Sequence, residues 1–363
     1  MTRGGIRCML MRGGTSKGAY FLDTDLPSAV LERDDLLLRI MGSPDPRQID
    51  GLGGAHPLTS KVAVVGTSKD PDADVDFLFA QVNVDKALVD TTPNCGNILA
   101  GVGPFAIERG LVNAAEPITR VRVKVLNTGT RAELVVNTRG GRVCYSGDER
   151  IDGVPGTSAA IPINFLDAEG SVCGSLLPTG HVTDVIAGVE VTCIDHGMPV
   201  VVLRASDVGL KGSESCAEIE AATEALRKVE AIRLEAGRRM GIGDVSEAVV
   251  PKMALLSAPE HGGAVQTRSL IPRRCHSAVG VFAAVSIANA CVLPGSPVHG
   301  LAVLPSGNVK RMDIEHPEGI FTVRLEMGGT EDHPVVARAG IVRTARAIFD
   351  GFVFPGPART GTA

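Results

Sequence analysis

Short runs rich in β-branched residues, often alternating in polarity and bounded by Gly, Pro or Asp, recur along this chain. They predict strands over Val75 to Val84, Val121 to Val125, Leu134 to Val136, Val189 to Cys193, Val200 to Leu203 and Phe321 to Leu325. The strands do not alternate regularly with helices, which argues against a doubly wound dinucleotide fold, whose parallel strands need a crossover after nearly every strand. Ser215 and Glu218 have the spacing of a capping box, and Ile219, Ala222, Leu226, Val229 and Ile232 form the apolar stripe of one surface helix that Gly241 can end. A second helix is expected over Leu31 to Met41, stopping at Gly42 before Pro44.

Gly96 to Ile107 and Ser277 to Ala290 are different, being apolar almost throughout. A helix without a polar face must be enclosed by protein, so each belongs at a domain centre. Pro104 removes the helical bond to Ala100 and predicts a kink or an early end to the first. Ala100 to Ile107 echoes Ala278 to Val285, and each follows a cysteine-bearing turn, which suggests a duplicated domain.

Composition narrows the class. A length of 363 residues allows two domains, while 44% hydrophobic content and a net charge of −5 describe a globular protein rather than a disordered or nucleic-acid-coating one. With no tryptophan and two tyrosines there are no stacking platforms for bases. No apolar stretch is long enough to span a bilayer and no leader pattern opens the chain, so the cytoplasm is the expected compartment, without a membrane or nucleic-acid partner. Eight scattered cysteines lack any Cys-x-x-Cys spacing and the histidines lack a ligand spacing, so neither a disulfide scaffold nor a metal is expected.

The chemistry concentrates in a few turns. Cys95, between Asn94 and Gly96-Asn97, stands where a strand gives way to a buried helix; unpaired N–H groups and the helix dipole favour thiolate there and can also hold a carboxylate. Asn94 can cap that helix while Asn97 faces the same opening. The bland reading of Cys95 is a small core hydrophobe. Arg12-Gly13-Gly14-Thr15-Ser16-Lys17-Gly18 fails the P-loop order and is either a carboxylate cradle of N–H groups and hydroxyls or a strand-end turn with surface Arg12 and Lys17. Lys61 follows Ser60 at the start of an apolar strand, where it either snorkels to water or is desolvated toward the range of a general base. Arg268, Arg273 and Arg274 form a basic cluster that faces either a polyanion or solvent. Asp195-His196 has no serine elbow beside it and reads as structural.

Together these features resemble the diaminopimelate-epimerase-like fold and, within it, the methylaconitate isomerase family, nearest to its 4-oxalomesaconate tautomerases. The carriers are Met11 to Gly18, Met41 to Asp45 with Arg47 to Gly51, Leu58 to Val62, Asn94 to Phe105 and Arg273 to His276. The resemblance implies an α+β chain of two similar β-rich domains, each wrapped around a buried central helix, with the active site in the interdomain cleft. Domain I would comprise residues 1–172 and 342–363 and carry Lys61 and Cys95; domain II would comprise 173–341 and carry the Cys275-His276-Ser277 turn, the chain crossing within 153–174. It further implies catalysis by Lys61 and Cys95, with Arg12, Gly13, Gly14, Thr15, Ser16, Ser60, Asn94, Gly96, Asn97, Arg268, His276 and Ser277 on the substrate. Epimerases of this fold oppose two cysteines, whereas the second helix start here aligns with Ser277, which fits an asymmetric acid and base. The implied reaction is a cofactor-independent proton shift in an unsaturated di- or tricarboxylate, 4-oxalomesaconate foremost, in gallate or protocatechuate breakdown. A 2-methylaconitate or itaconate-type isomerase and a non-catalytic organic-acid binding protein are the alternatives, and homodimerisation stays open.

Overall fold

The computed structural model describes residues 4–330 and 334–357. Strands β1 (Ile6–Gly13), β2 (Ser16–Leu22), β3 (Lys61–Thr67), β4 (Val75–Val82), β5 (Val89–Asp90), β6 (Ile118–Val125), β7 (Arg131–Arg139), β8 (Arg142–Val143) and β9 (Ala160–Phe165) come first in the chain, with helices α1 (Val30–Met41) and α2 (Gly96–Glu108) among them. There follow β10 (Asp184–Ile186), β11 (Val189–Asp195), β12 (Pro199–Arg204), α3 (Cys216–Ala221), α4 (Thr223–Arg239), β13 (Lys252–Ser257), β14 (Val265–Leu270), β15 (Cys275–His276), α5 (Val281–Val292), β16 (Val309–His316), β17 (Gly319–Gly329) and β18 (Pro334–Val353). One unit ends at Ile163 and resumes at Val342; the other is Asn164–Ile341. The first boundary therefore lies before the expected position at 172. Within the second unit the Asp195 carboxylate accepts the N–H groups of Val172 and Cys173 at 2.8 and 2.7 Å, fastening that loop to β11.

In the first unit β1 pairs antiparallel with β2 and with the end of β18, β2 pairs parallel with β3, β3 antiparallel with β4, β4 parallel with β6, and β6 antiparallel with β7. Pairings of β9 with both β7 and β18 close the ladder. Closure leaves an interior, and α2 fills it: Ile98 through Ile107 are all buried, as a helix with no polar face requires. Pro104 does not end this helix, which runs on to Glu108. Gly101 is where α2 meets the wall, because a Cβ there would collide with Oη of the fully buried Tyr20, which donates to Ile98 O at 2.6 Å. Helix α1 covers Leu36, Leu37, Ile40 and Met41 and stops at Gly42, whose left-handed φ of 77° suits glycine.

The second unit repeats the same sequence of pairings. β11 is antiparallel to β12, β12 parallel to β13, β13 antiparallel to β14, β14 parallel to β16 and β16 antiparallel to β17. A two-residue strand hangs from the fourth main strand in each unit, β5 on β4 and β15 on β14, just before the buried helix. Helix α5 is buried from Ala283 to Val292. Two expectations need correction here. The capping box at Ser215 is present, but the helix it opens breaks at Ala222 (ψ 66°) and resumes as α4. Helix α5 begins at Val281 with Gly280 at its N-cap, not at Ser277, because His276 Nδ1 accepts the Ala278 N–H at 3.0 Å and folds those residues into a local turn. Among the described residues no helix is long and apolar enough to cross a membrane.

Candidate active site

The hairpin of β1 and β2 turns at Gly14-Thr15, directly on the first turn of α2. A Cβ at Gly13 would strike Asn97 O, with Tyr20 Oη at 3.0 Å, and one at Gly14 (φ 51°) would strike the Asn97 side chain. Only a backbone stripped of side chains lets the two elements meet so closely. Asn97 is held at both ends of its amide: Nδ2 donates to Thr15 Oγ1 at 3.0 Å, and Oδ1 accepts from Arg343 Nε at 3.2 Å.

Cys95 is the N-cap residue of α2, half-buried, with extended φ and ψ of −144° and 101°. No side chain caps this helix, so the expectation that Asn94 does so fails; Asn94 is exposed. The first N–H groups of α2 consequently stay available to an anion. Burial lowers the Arg343 pKa, and the neighbouring Cys95 works against that shift. Burial, and secondarily Cys95, hold the Tyr20 hydroxyl well above its ordinary pKa, so it remains a protonated donor to α2. Ser16 is buried and its Oγ has no hydrogen-bond partner among the described residues. An unsatisfied buried hydroxyl costs about 1–3 kcal/mol, a penalty that a bound oxygen would remove.

Lys61 opens β3 and is 8% exposed. Its Nζ donates to Gln81 Oε1 at 2.8 Å and stands 5.0 Å from the centre of the Phe79 ring. Gln81 faces Lys61 across the antiparallel β3–β4 pair, and its Nε2 donates to Pro57 O and Ser60 O at 3.0 and 2.9 Å. Those two carbonyls fix the amide so that its oxygen, not its nitrogen, meets the ammonium. Between Lys61 and α2 lies Gly18, where a Cβ would come within 2.7 Å of Lys61 O and 3.1 Å of Ile98 Cδ1.

Two expected substrate contacts are committed elsewhere. Ser60 is fully buried, donating to Val82 O at 2.8 Å and accepting from Gln48 Nε2 at 2.7 Å, so its hydroxyl is used inside the fold. Arg12 braces the turn from behind: Nη1 donates to Gly14 O, Thr344 O and Thr344 Oγ1 at 3.0, 3.1 and 2.9 Å.

In the second unit, Ser269 pairs with His276 across β14 and β15, and the Ser269 and Thr267 hydroxyls are buried without partners among the described residues. Arg268 is enclosed, donating to Glu214 O at 2.6 Å and to Thr267 O at 3.0 Å. Arg273 pairs with Glu230 of α4 at 3.0 Å, so the basic cluster does not converge. Ser277 and His276 are exposed. The Cys275 thiol is pushed up to about 12, first by burial and then by a hydrogen bond with Cys216. His196 is buried and its pKa falls to about 4, while Asp195 holds the loop at Cys173, in line with a structural pair. Among the described residues no group of three or more His, Cys, Asp or Glu side chains is placed to hold a metal ion.

Gln81 and Arg343 were not found by reading the sequence. Gln81 had a signal, since it lies on the predicted strand Val75 to Val84; Arg343 had none, being 246 residues from Asn97. The first unit thus combines a half-buried thiol at an open helix start, a buried amine of fixed orientation, a guanidinium and an unpartnered hydroxyl. That set can move protons and hold carboxylates.

Known proteins share this arrangement of chain. Residues 3–355 match the family described as PrpF protein. The chain is 57% identical to the 4-oxalomesaconate tautomerase of Pseudomonas putida over 348 residues, covering 96% of this chain and 95% of that one. It is 56% identical to the (4E)-oxalomesaconate Delta-isomerase of Novosphingobium sp., covering 96% of each. A crystal structure of methylitaconate-delta-isomerase superposes with a TM-score of 0.84 at 35% identity, covering 100% of both chains. With a family match over nearly its whole length and full-length relatives above half identity, the chain belongs to the PrpF family of isomerases.

Proposed function

We propose that this isomerase is a 4-oxalomesaconate tautomerase that needs no cofactor and uses Lys61 and Cys95 as its acid and base. The substrate is an unsaturated tricarboxylate in which one methylene separates a keto carbonyl from the carbon–carbon double bond. Lys61 Nζ removes a proton from that methylene, leaving a dienolate, and Cys95 Sγ delivers a proton to the far end of the double bond or to the carbonyl oxygen. The product is the 4-carboxy-2-hydroxymuconate type of isomer, with no change in oxidation state and no group lost. The first N–H groups of α2, Asn97 and the Ser16 hydroxyl receive a carboxylate or the dienolate oxygen, stabilising charge where it develops. Support comes most directly from Cys95 standing uncapped at the start of α2 beside Arg343 and an unsatisfied Ser16.

The repeated order of strand pairing supports a duplicated, epimerase-like architecture in which each half carries one reactive turn. In that reading His276 and Ser277 of the second unit bind substrate carboxylate. The cytoplasm and a role in gallate or protocatechuate breakdown belong to the same proposal. The relatives that act on oxalomesaconate are far more similar to this chain than the methylitaconate enzyme, which favours the tricarboxylate over itaconate-type acids.

Deuterium exchange into substrate, followed alongside its ultraviolet absorbance, tests the roles. Lys61→Ala and Cys95→Ser should each abolish exchange while leaving the fold intact. Full activity in both would overturn the assignment, and ligand-induced stabilisation of the wild type with no exchange would make it a binding protein.

A further inference from the structure

We propose that the first unit contains a second anion site, separate from the Cys95 turn, in a cavity of about 560 Å³ lined by Arg12, Arg346, Tyr145 and Ser158, which takes a small oxyanion bearing at least two negative oxygens. Arg12 and Arg346 are direct partners in the antiparallel β1–β18 ladder, so their side chains leave the sheet on one face. Opposed residues of such a pair have Cβ atoms only about 4.5–5.5 Å apart, where like charges repel. Among the described residues, none that lines the cavity is acidic. Arg12 has a lowered pKa, first from burial and then from Arg346. Tyr145 Oη is buried with no hydrogen-bond partner among the described residues, and burial keeps its proton on at neutral pH. The Arg346 guanidinium, the Arg12 guanidinium, whose Nη2 also donates to Ser158 Oγ at 3.2 Å, and a phenol donor without a partner among the described residues make up a donor set for an oxyanion.

The site is not the catalytic one. Neighbouring residues of a strand face opposite ways. Gly13, paired with Ala345, points at Asn97 and the start of α2, so Arg12 and Arg346, one step along each strand, point to the other face. The two faces still communicate, because Arg12 also holds Gly14 O and Thr344 O, and Gly14 abuts Asn97. An anion that orders Arg12 would therefore stiffen the turn behind the catalytic cysteine.

Calorimetric titration of the full-length protein with malonate and with inorganic phosphate tests this. Arg346 is exposed, so Arg346→Gln should fold and melt no lower than wild type while binding the anion about tenfold or more weakly. Tyr145→Phe should weaken binding less. Tighter malonate identifies an organic dicarboxylate as the natural occupant, tighter phosphate a phosphate-bearing metabolite. Unchanged affinity in Arg346→Gln, or heat and stabilisation reproduced by chloride at matched ionic strength, would overturn the proposal; neither result touches the Lys61 and Cys95 roles, which isotope exchange reads.

Discussion

Replacing Gly13 by alanine is a one-methyl perturbation of the contact on which the candidate site rests. The added Cβ meets Asn97 O, with Asn97 C at 3.2 Å and Tyr20 Oη at 3.0 Å. None of these can yield cheaply. Two are backbone atoms of the first turn of α2, and Tyr20 is fixed by its 2.6 Å bond to Ile98 O inside the core. Carbon and oxygen must regain ordinary contact distance, so the hairpin must back away from the helix by about 1 Å. Overpacking of this kind costs about 1–3 kcal/mol, which lowers Tm by roughly 3–10 °C in a domain of this size. A shift of about 1 Å in a catalytic array typically costs about a hundredfold in kcat, or close to 2.7 kcal/mol of barrier. Steady-state kinetics on 4-oxalomesaconate with parallel thermal melts would measure both. Gly300→Ala is the control, since nothing lies within 4 Å of a Cβ there. A Gly13→Ala enzyme with wild-type kcat and Tm would refute the view that the glycine turn sets the position of Asn97 and Cys95.

Three further outcomes follow from the geometry. Gln81→Leu deletes the acceptor at 2.8 Å from Lys61 Nζ; losing a charged hydrogen bond of about 1.5–3 kcal/mol should lower kcat by about 10- to 100-fold with little change in KM, and an unchanged kcat would show that Gln81 does not position the amine. Cys275→Ser should keep kcat within about twofold of wild type, because a thiol held near 12 is no proton acceptor at neutral pH; a collapse matching Cys95→Ser would make Cys275 a second acid or base. His196 titrates near 4 in the fold and near 6.5 unfolded, so above pH 6.5 it is neutral in both states, and as pH falls from 6.5 to 4 only the unfolded chain takes up the proton. Stability should therefore drop across that window by at most about 3 kcal/mol and level off below it; urea unfolding across pH should show this slope flattened in His196→Asn, and an identical slope would sink the assignment.

Local patterning carried much of this protein. The strand runs, the αL stop of α1 at Gly42, the capping box at Ser215 and the two helices without a polar face all follow from a few consecutive residues, since hydrophobic period and cap chemistry act over one or two turns. The position of Cys95 at a helix start was equally readable, because the strand-to-helix change is written in the residues on either side of it.

Tertiary structure decided which side chains serve that turn. Arg12 and Ser60 look like site residues in the chain, yet one braces the hairpin from behind and the other is closed inside a hydrogen-bond network with Gln48 and Val82. Gln81 and Arg343 became partners of Lys61 and Asn97 only through strand register and the return of β18. Where α5 begins was likewise set by a histidine side chain bonding its neighbour, not by the apolar run. Periodicity records that a residue is buried; it carries no information about which distant group waits beside it, and donors, acceptors and charges acquire their chemistry from that neighbour.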